Sequence, residues 1–335
     1  MRALAFVLLF AVFPVCAQVV APPEHRRAPE QTFLTYPEWF LVHSPAEYAH
    51  YVRDHTPTAF PFIGHICQFW QGYGAVHDAT KKDYPFNFEY FVMVMVIGVS
   101  TTAEYALRAA YETMIGRVSD LTTGQLTEED RYGATVAQDY VDFIRDKPWY
   151  EYDFAGKLRG LWARTSLFGP GLVRKWERKY ALTTEYLVKA AYGWLIGLGT
   201  RASFERPLEV TAVVVDRVPP NLDKEFPDFK LLKPLDGGAA LALVPRYEAF
   251  TRYSSGLAAR GVQFSEIAGN RSVILVTALV PVGWRSDASV LFVQPILTQP
   301  GTQRVGLVVP VNALSRTLNG LAKDGARIEL SLIHI

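Results

Sequence analysis

Apolar positions in the first two thirds of the chain recur at helical spacing. Tyr48, Tyr51 and Val52 share one face of a segment that Pro57 and Pro61 end, and the spacing predicts a short helix over residues 45–54. Ser44 with Glu47 fits a capping box, as does Thr35 with Glu38, and Pro45 falls at the first helical position, where its missing N–H costs nothing. Further helices are expected around Ile66, Phe69 and Trp70, from about 88 to about 115, and near 128–146, 155–165 and 172–197. Thr127 opens the fourth of these, and Glu128, Glu129 and Asp130 in its first turn suit the positive end of the helix dipole. The most apolar stretch, Tyr90 to Ala103, lies between Glu89 and Glu104 and is too short to span a bilayer, so it is expected as a buried helix.

After Arg206-Pro207 the pattern changes. Leu208 to Val215 is a β-branched run, and strands are expected near 239–244, 262–267, 273–280, 290–297 and 305–309, with a last one from Arg327. Helices are expected at 247–260 and 313–323, the second capped by Asn312, striped by Leu314, Leu318 and Leu321, and ended by Gly325. This order approximates a ferredoxin-like βαββαβ sandwich with additional strands. The expected fold class is therefore multidomain α+β, with a helical domain over residues 33–205 and a ferredoxin-like α/β sandwich over 206–329.

The helical part repeats itself. Tyr48, Arg53, Asp54, Phe62, Gly64 and Trp70 recur as Tyr140, Arg145, Asp146, Phe154, Gly156 and Trp162. Thr102, Glu104, Tyr105, Arg108, Tyr111 and Gly116 recur, at a slightly shorter offset, as Thr183, Glu185, Tyr186, Lys189, Tyr192 and Gly197. Two matches in the same order point to a duplication, with units at about 36–120 and 127–205 related by a pseudo-twofold axis. Gly64 and Gly156 are expected where a side chain would obstruct close packing.

A chain of 335 residues is long enough for two substantial cores. A net charge of +1, with acids and bases interspersed, lacks the basic footprint of a nucleic-acid binder. Six of the seven tryptophans precede residue 206, which reinforces the boundary there. At the start, Met1-Arg2 and the apolar run Ala3 to Val15 precede Val15-Cys16-Ala17, where small residues suit signal peptidase. Residues 1–20 therefore read as a signal peptide or an uncleaved membrane anchor, and 21–32 as a linker. Either reading places the body outside the cytoplasm, in the periplasm or facing it, with membrane association through this segment. After cleavage only Cys67 would remain, which excludes an intramolecular disulfide in the mature chain, and an isolated cysteine in apolar surroundings is expected in a core. Leu330 to Ile335 resembles translated sequencing-adapter read-through and is set aside as a non-native tail.

The candidate chemistry sits in the repeat. Glu104 and Arg108, like Glu185 and Lys189, lie four residues apart with the acid first, and Tyr111 and Tyr192 share their helix faces. Exposed pairs of this kind are worth roughly 0.3–0.5 kcal/mol. If instead the two copies meet across the pseudo-twofold axis, Glu104, Arg108, Tyr111, Glu185, Lys189 and Tyr192 would form a polar ligand-binding or interface site within the bundle. His43, His50, His55, His65 and His77 crowd the first unit, but no HExxH, Glu-x-x-His or CxxC spacing accompanies them, so they are expected as scattered surface residues and no metal or cofactor is implied. Walker, GxGxxG and GxSxG patterns are missing. The expectation is a non-catalytic envelope protein that binds an apolar ligand or a protein partner through the helical domain. The alternative is a hydrolase or metal-dependent enzyme using polar residues at the repeat interface.

Overall fold

The computed structural model describes residues 19–27, 36–82, 85–145, 147–203, 209–246 and 248–329. The expected cap at Thr35, the leader up to residue 18, the linker beyond Arg27 and the tail from Leu330 lie outside these residues. Helix α1 (Tyr36–Tyr51) runs unbroken through Ser44-Pro45. Ser44 is therefore no cap: its hydroxyl is engaged by His65 and Tyr105, and Pro45 sits mid-helix. Helix α2 (Phe62–Thr80) follows a 3₁₀ turn at Pro57–Ala59. Asn87 caps α3 (Phe88–Tyr111), which continues through a π-helical turn, Glu112–Gly116, to Asp120. A Thr127–Asp130 capping box starts α4 (Glu128–Ile144), the Asp153 carboxylate caps α5 (Phe154–Arg164), and α6 (Leu172–Ser203) is the longest helix.

Helices α3 and α6 lie side by side and antiparallel. Glu104 meets Lys189, Arg108 meets Glu185, Glu112 meets Arg178 and Ser119 meets Glu177, so partners ascend on one helix as they descend on the other. Phe60, between the 3₁₀ turn and α2, packs with Phe62 of α2 and Tyr105 of α3 in one small core, and Tyr152, Phe154, Leu161 and Tyr186 form another. The stretch from Tyr90 to Ala103 is not the buried helix expected. It buries Val94 and Ile97 and leaves Val92, Val96 and Val99 exposed.

Among its described residues the carboxyl-terminal half has eight strands, two longer helices and a single helical turn at Leu222–Glu225, and all its strand pairs are antiparallel. Strands β1 (Val210–Val215), β2 (Lys230–Pro234), β3 (Ala240–Pro245) and β4 (Phe264–Ile267) make one sheet in the order β2-β3-β1-β4, with helix α7 (Glu248–Ala259) between β3 and β4. Strands β5 (Val273–Pro281), β6 (Ser289–Pro295), β7 (Thr302–Pro310) and β8 (Arg327–Ile328) repeat that topology, β6-β7-β5-β8, with helix α8 (Leu314–Lys323) between β7 and β8. A ferredoxin-like sandwich would keep its strands in one sheet. Here they divide between two, because β4 pairs with β1, and β5 pairs with β7 and β8. Strand β2 was not expected: Lys-Leu-Leu-Lys-Pro lies on an edge with every residue exposed, so no burial pattern marks it. Asn312 does not cap α8 either, since a 3₁₀ turn at Val311–Ala313 leads into the helix without a side-chain cap.

One core, with Val213, Phe250, Leu257, Val276, Leu307 and Leu318, joins both sheets and both helices. A smaller cluster docks this half onto the helices, where Leu275 and Phe292 pack with Phe40, Phe69 and Ile97. Gln68 donates to the Pro295 carbonyl and Gln294 to that of Gln68, both at 2.7 Å. Residues Val19 to Arg27 lie along the first sheet, where the N–H groups of Val20 and Ala21 donate to the fully buried Glu266 carboxylate.

A candidate site at the seam of the helical half

The two acid–base pairs close into a ring. Lys189 Nζ is 2.9 Å from Glu185 and 3.0 Å from Glu104, while Arg108 Nη1 is 3.5 Å from Glu104 and 3.7 Å from Glu185. Charge alternates around the ring. Burial alone would push the Glu185 carboxyl up, but Arg108 and Lys189 outweigh it and hold it at about 2. Arg108 lies over the rings of Tyr48 and Phe62, at 4.3 and 4.9 Å, and Lys189 over those of Tyr140 and Phe154, at 5.7 and 5.8 Å. Each cationic head thus meets two carboxylates and two aromatic faces, an arrangement that holds it in one place.

Beside the ring lies a cavity of about 100 Å³, walled by α1, α3, α4 and α6. Glu104, Arg108, Glu185 and Lys189 all line it, together with Tyr48, Tyr105, Tyr140 and Tyr186. Tyr111 and Tyr192, expected in the same site, lie elsewhere. Tyr111 faces Glu177 and the Arg178 guanidinium, and Tyr192 packs on Trp149 with ring centroids 5.3 Å apart. Both are one helical turn beyond the basic residue, too far along α3 and α6 to reach the ring.

A second polar array runs from this cavity towards the sheets. Ser44, which lines the cavity, bonds the Tyr105 hydroxyl at 2.7 Å and His65 Nδ1 at 2.9 Å. His65 Nε2 faces Glu47 at 3.6 Å, Arg304 from β7 grips Glu47 at 2.9 Å and Glu329 at 2.8 Å, and His43 lies 3.4 Å from Glu329. The expectation of scattered surface histidines fails for His43 and His65 and holds for His50, His55 and His77, which are exposed. Burial pushes both His43 and His65 down to about 3, in His43 against the pull of Glu329 and in His65 with help from Arg304. Burial also raises Glu47, while Arg304 pulls it back. Cys67, expected in a core, is exposed. Among the described residues no group of three or more His, Cys, Asp and Glu side chains is placed to hold a metal ion.

A third cluster was not foreseen. Arg174 is fully buried and pairs with Asp130 at 2.9 Å and Glu177 at 3.1 Å, while Lys175 and Lys179 both approach the fully buried Glu129, at 3.2 and 3.3 Å. Arg178 joins Glu112 at 2.8 Å and also touches Glu177. A signal did exist: Arg174-Lys175-Trp176-Glu177-Arg178-Lys179 stands in the second unit where the first has the apolar Met93 to Gly98. So dense a charge run ordinarily marks a solvated helix face, and only its acidic counterpart at Glu128 to Asp130 hints at burial.

Comparison of the chain with protein-family models, with curated proteins and with solved structures gives no match.

Proposed function

We propose that this is a non-catalytic extracytoplasmic protein that works by binding, and that its helical half, built by duplication, carries the site. Paired geometry supports the duplication. Trp70 Nε1 donates to Thr102 at 3.0 Å and Trp162 Nε1 to Thr183 at 3.1 Å. The 3₁₀ turns Pro57–Ala59 and Trp149–Glu151 precede α2 and α5 alike, and Tyr48 meets Phe60 as Tyr140 meets Tyr152, at 5.1 and 5.2 Å. Gly64 and Gly156 have diverged: a Cβ would strike Leu297 at the first and the Asp153 carboxylate at the second. For the other half, a pair of β-β-β-α-β units accounts for the topology better than a ferredoxin-like sandwich with additions.

The observation that carries the binding reading is the convergence of Glu104, Arg108, Glu185 and Lys189 on one tyrosine-walled cavity. Four charges suit a wholly apolar ligand poorly, because burying them against it would leave them without solvent. A small dipolar molecule, whose cationic and anionic ends replace one contact each in the ring, fits better. Thermal unfolding in the presence of amino acids, betaines and related zwitterions tests this. At least one should raise the midpoint of the wild type and lose that effect in Glu104→Gln/Glu185→Gln. Failure of every solute to do so would leave the ring as scaffold.

One arrangement favours the hydrolase alternative, namely the hydroxyl, imidazole and carboxylate series Ser44, His65, Glu47. Two features count against it. Ser44 is buried within α1, and Pro45 has no N–H to offer a developing oxyanion. Covalent labelling by a fluorophosphonate, abolished by Ser44→Ala, would reverse the ranking.

A further inference from the structure

The α3–α6 pair is built inside out. In a soluble helix pair, apolar groups fill the seam and charges face water. Here the seam holds the ion pairs, with Arg174, Glu112 and Arg178 buried, and the outer faces are apolar. Among the described residues from 88 to 121 and from 172 to 199, the side chains of every exposed residue are uncharged except that of Arg117. Glu104, whose side chain is 40 % exposed, is held in the ring. Val99, Leu107 and Met114 on α3, and Tyr180, Val188 and Trp194 on α6, are each about three-fifths exposed or more. Leu107 reaches 73 %. Charges turned inward and paired, with aliphatic and aromatic groups turned outward, is the order expected of helices in contact with hydrocarbon.

We infer that the outer face of the α3–α6 pair rests in a lipid bilayer. Length and hydropathy would let the segment Tyr90–Asp120 cross a membrane. Its neighbour α4 argues for an in-plane orientation, because Glu128, Arg131, Asp139 and Asp142 are exposed along it and lipid could not surround the bundle. The pair therefore lies along the surface with its apolar face sunk into one leaflet, as amphipathic interfacial helices do. The 32 residues of α6 make it about 48 Å long, so the contact extends well beyond a single side-chain anchor. Among the described side chains of the two outer faces no carboxylate is exposed to repel anionic headgroups. Lipid is favoured over a second copy of the chain because this face combines a long apolar run, with Arg117 as the one exposed charge among the described residues, with Trp and Tyr side chains, the residues that gather at membrane interfaces. This inference does not depend on what the cavity binds.

The test uses the full chain with Cys16 and Cys67 replaced by serine. An environment-sensitive NBD fluorophore is attached to Val99→Cys or Val188→Cys, with Asp142→Cys on α4 as control, and vesicles of phosphatidylethanolamine and phosphatidylglycerol are added. Emission from positions 99 and 188 should shift to the blue and brighten, and that from 142 should not. Leu107→Glu/Trp194→Glu, two exposed substitutions that leave unfolding cooperative, should abolish the shifts at 99 and 188. If the leader alone holds the protein on vesicles, positions 99 and 188 stay water-like and the inference fails. It fails equally if those positions are shielded without lipid in a protein that runs as a dimer.

Discussion

Glu104 and Glu185 are equivalent in sequence and unequal in the fold, and single substitutions should separate them. The Glu185 side chain is 25 % exposed and that of Glu104 40 %. Glu185→Gln leaves Arg108 and Lys189 sharing one carboxylate in a largely closed site and should cost about 1–3 kcal/mol. Glu104→Gln, more open to water, should cost under about 1 kcal/mol. Urea unfolding of both variants and the double variant checks this, and a coupling term is expected because the two share both cations. The buried histidines set a pH dependence. Unfolded histidines bind protons near pH 6.5, whereas His43 and His65 in the fold hold off to about 3. Between these values the unfolded state binds more protons, so stability is full above pH 6.5 and falls as the pH drops, by at most about 1.4 kcal/mol per pH unit for each histidine. Glu47, raised by burial, takes up its proton earlier in the fold than in the unfolded chain, which offsets part of the loss just above pH 4.5. His65→Gln should flatten the slope measured by urea midpoints across this range.

At the scale of elements, helix positions were readable from apolar spacing and from caps such as Thr127, because burial of one face leaves a periodic trace. Strand β2 and the unbroken course of α1 were not readable. The first leaves no buried alternation, and the second depends on Ser44 finding partners 21 and 61 residues away, His65 and Tyr105, in place of the helix amino terminus. The ring was half legible: its four members were named from i,i+4 spacing, but Tyr48, Tyr105, Tyr140 and Tyr186, rather than Tyr111 and Tyr192, complete the cavity, which only the helix crossing decides. Packing between α2 and α3 gives a direct check. A Cβ at Gly98 would lie 2.6 Å from Phe69 and 2.8 Å from Trp70, so Gly98→Ala should destabilise by about 1–3 kcal/mol through overpacking. Loss of the Trp70 fluorescence environment in the native baseline would accompany it.

For the whole molecule, the joint between halves matters as much as either core. The α+β half has a continuous core of its own, so a fragment of residues 209–329 should unfold cooperatively, yet at lower denaturant than in the full chain, because Leu275, Phe292 and Arg304 lose their partners. Aggregation of that fragment without a transition would instead make the chain one continuous folding unit. Arg304→Met should weaken the joint most, on the order of 3–5 kcal/mol, since it strands Glu47 and Glu329 together. That joint also imposes an order on biosynthesis. Glu47 leaves the ribosome early, and its guanidinium partner follows 257 residues later, with Glu329 later still. Until then a nascent helical half carries an uncompensated acid where its interior should close, and closing it costs desolvation with nothing in return. The amino-terminal half should therefore stay loosely packed throughout translation and lock only when β7 emerges, which makes that window the one in which a chaperone has most to protect.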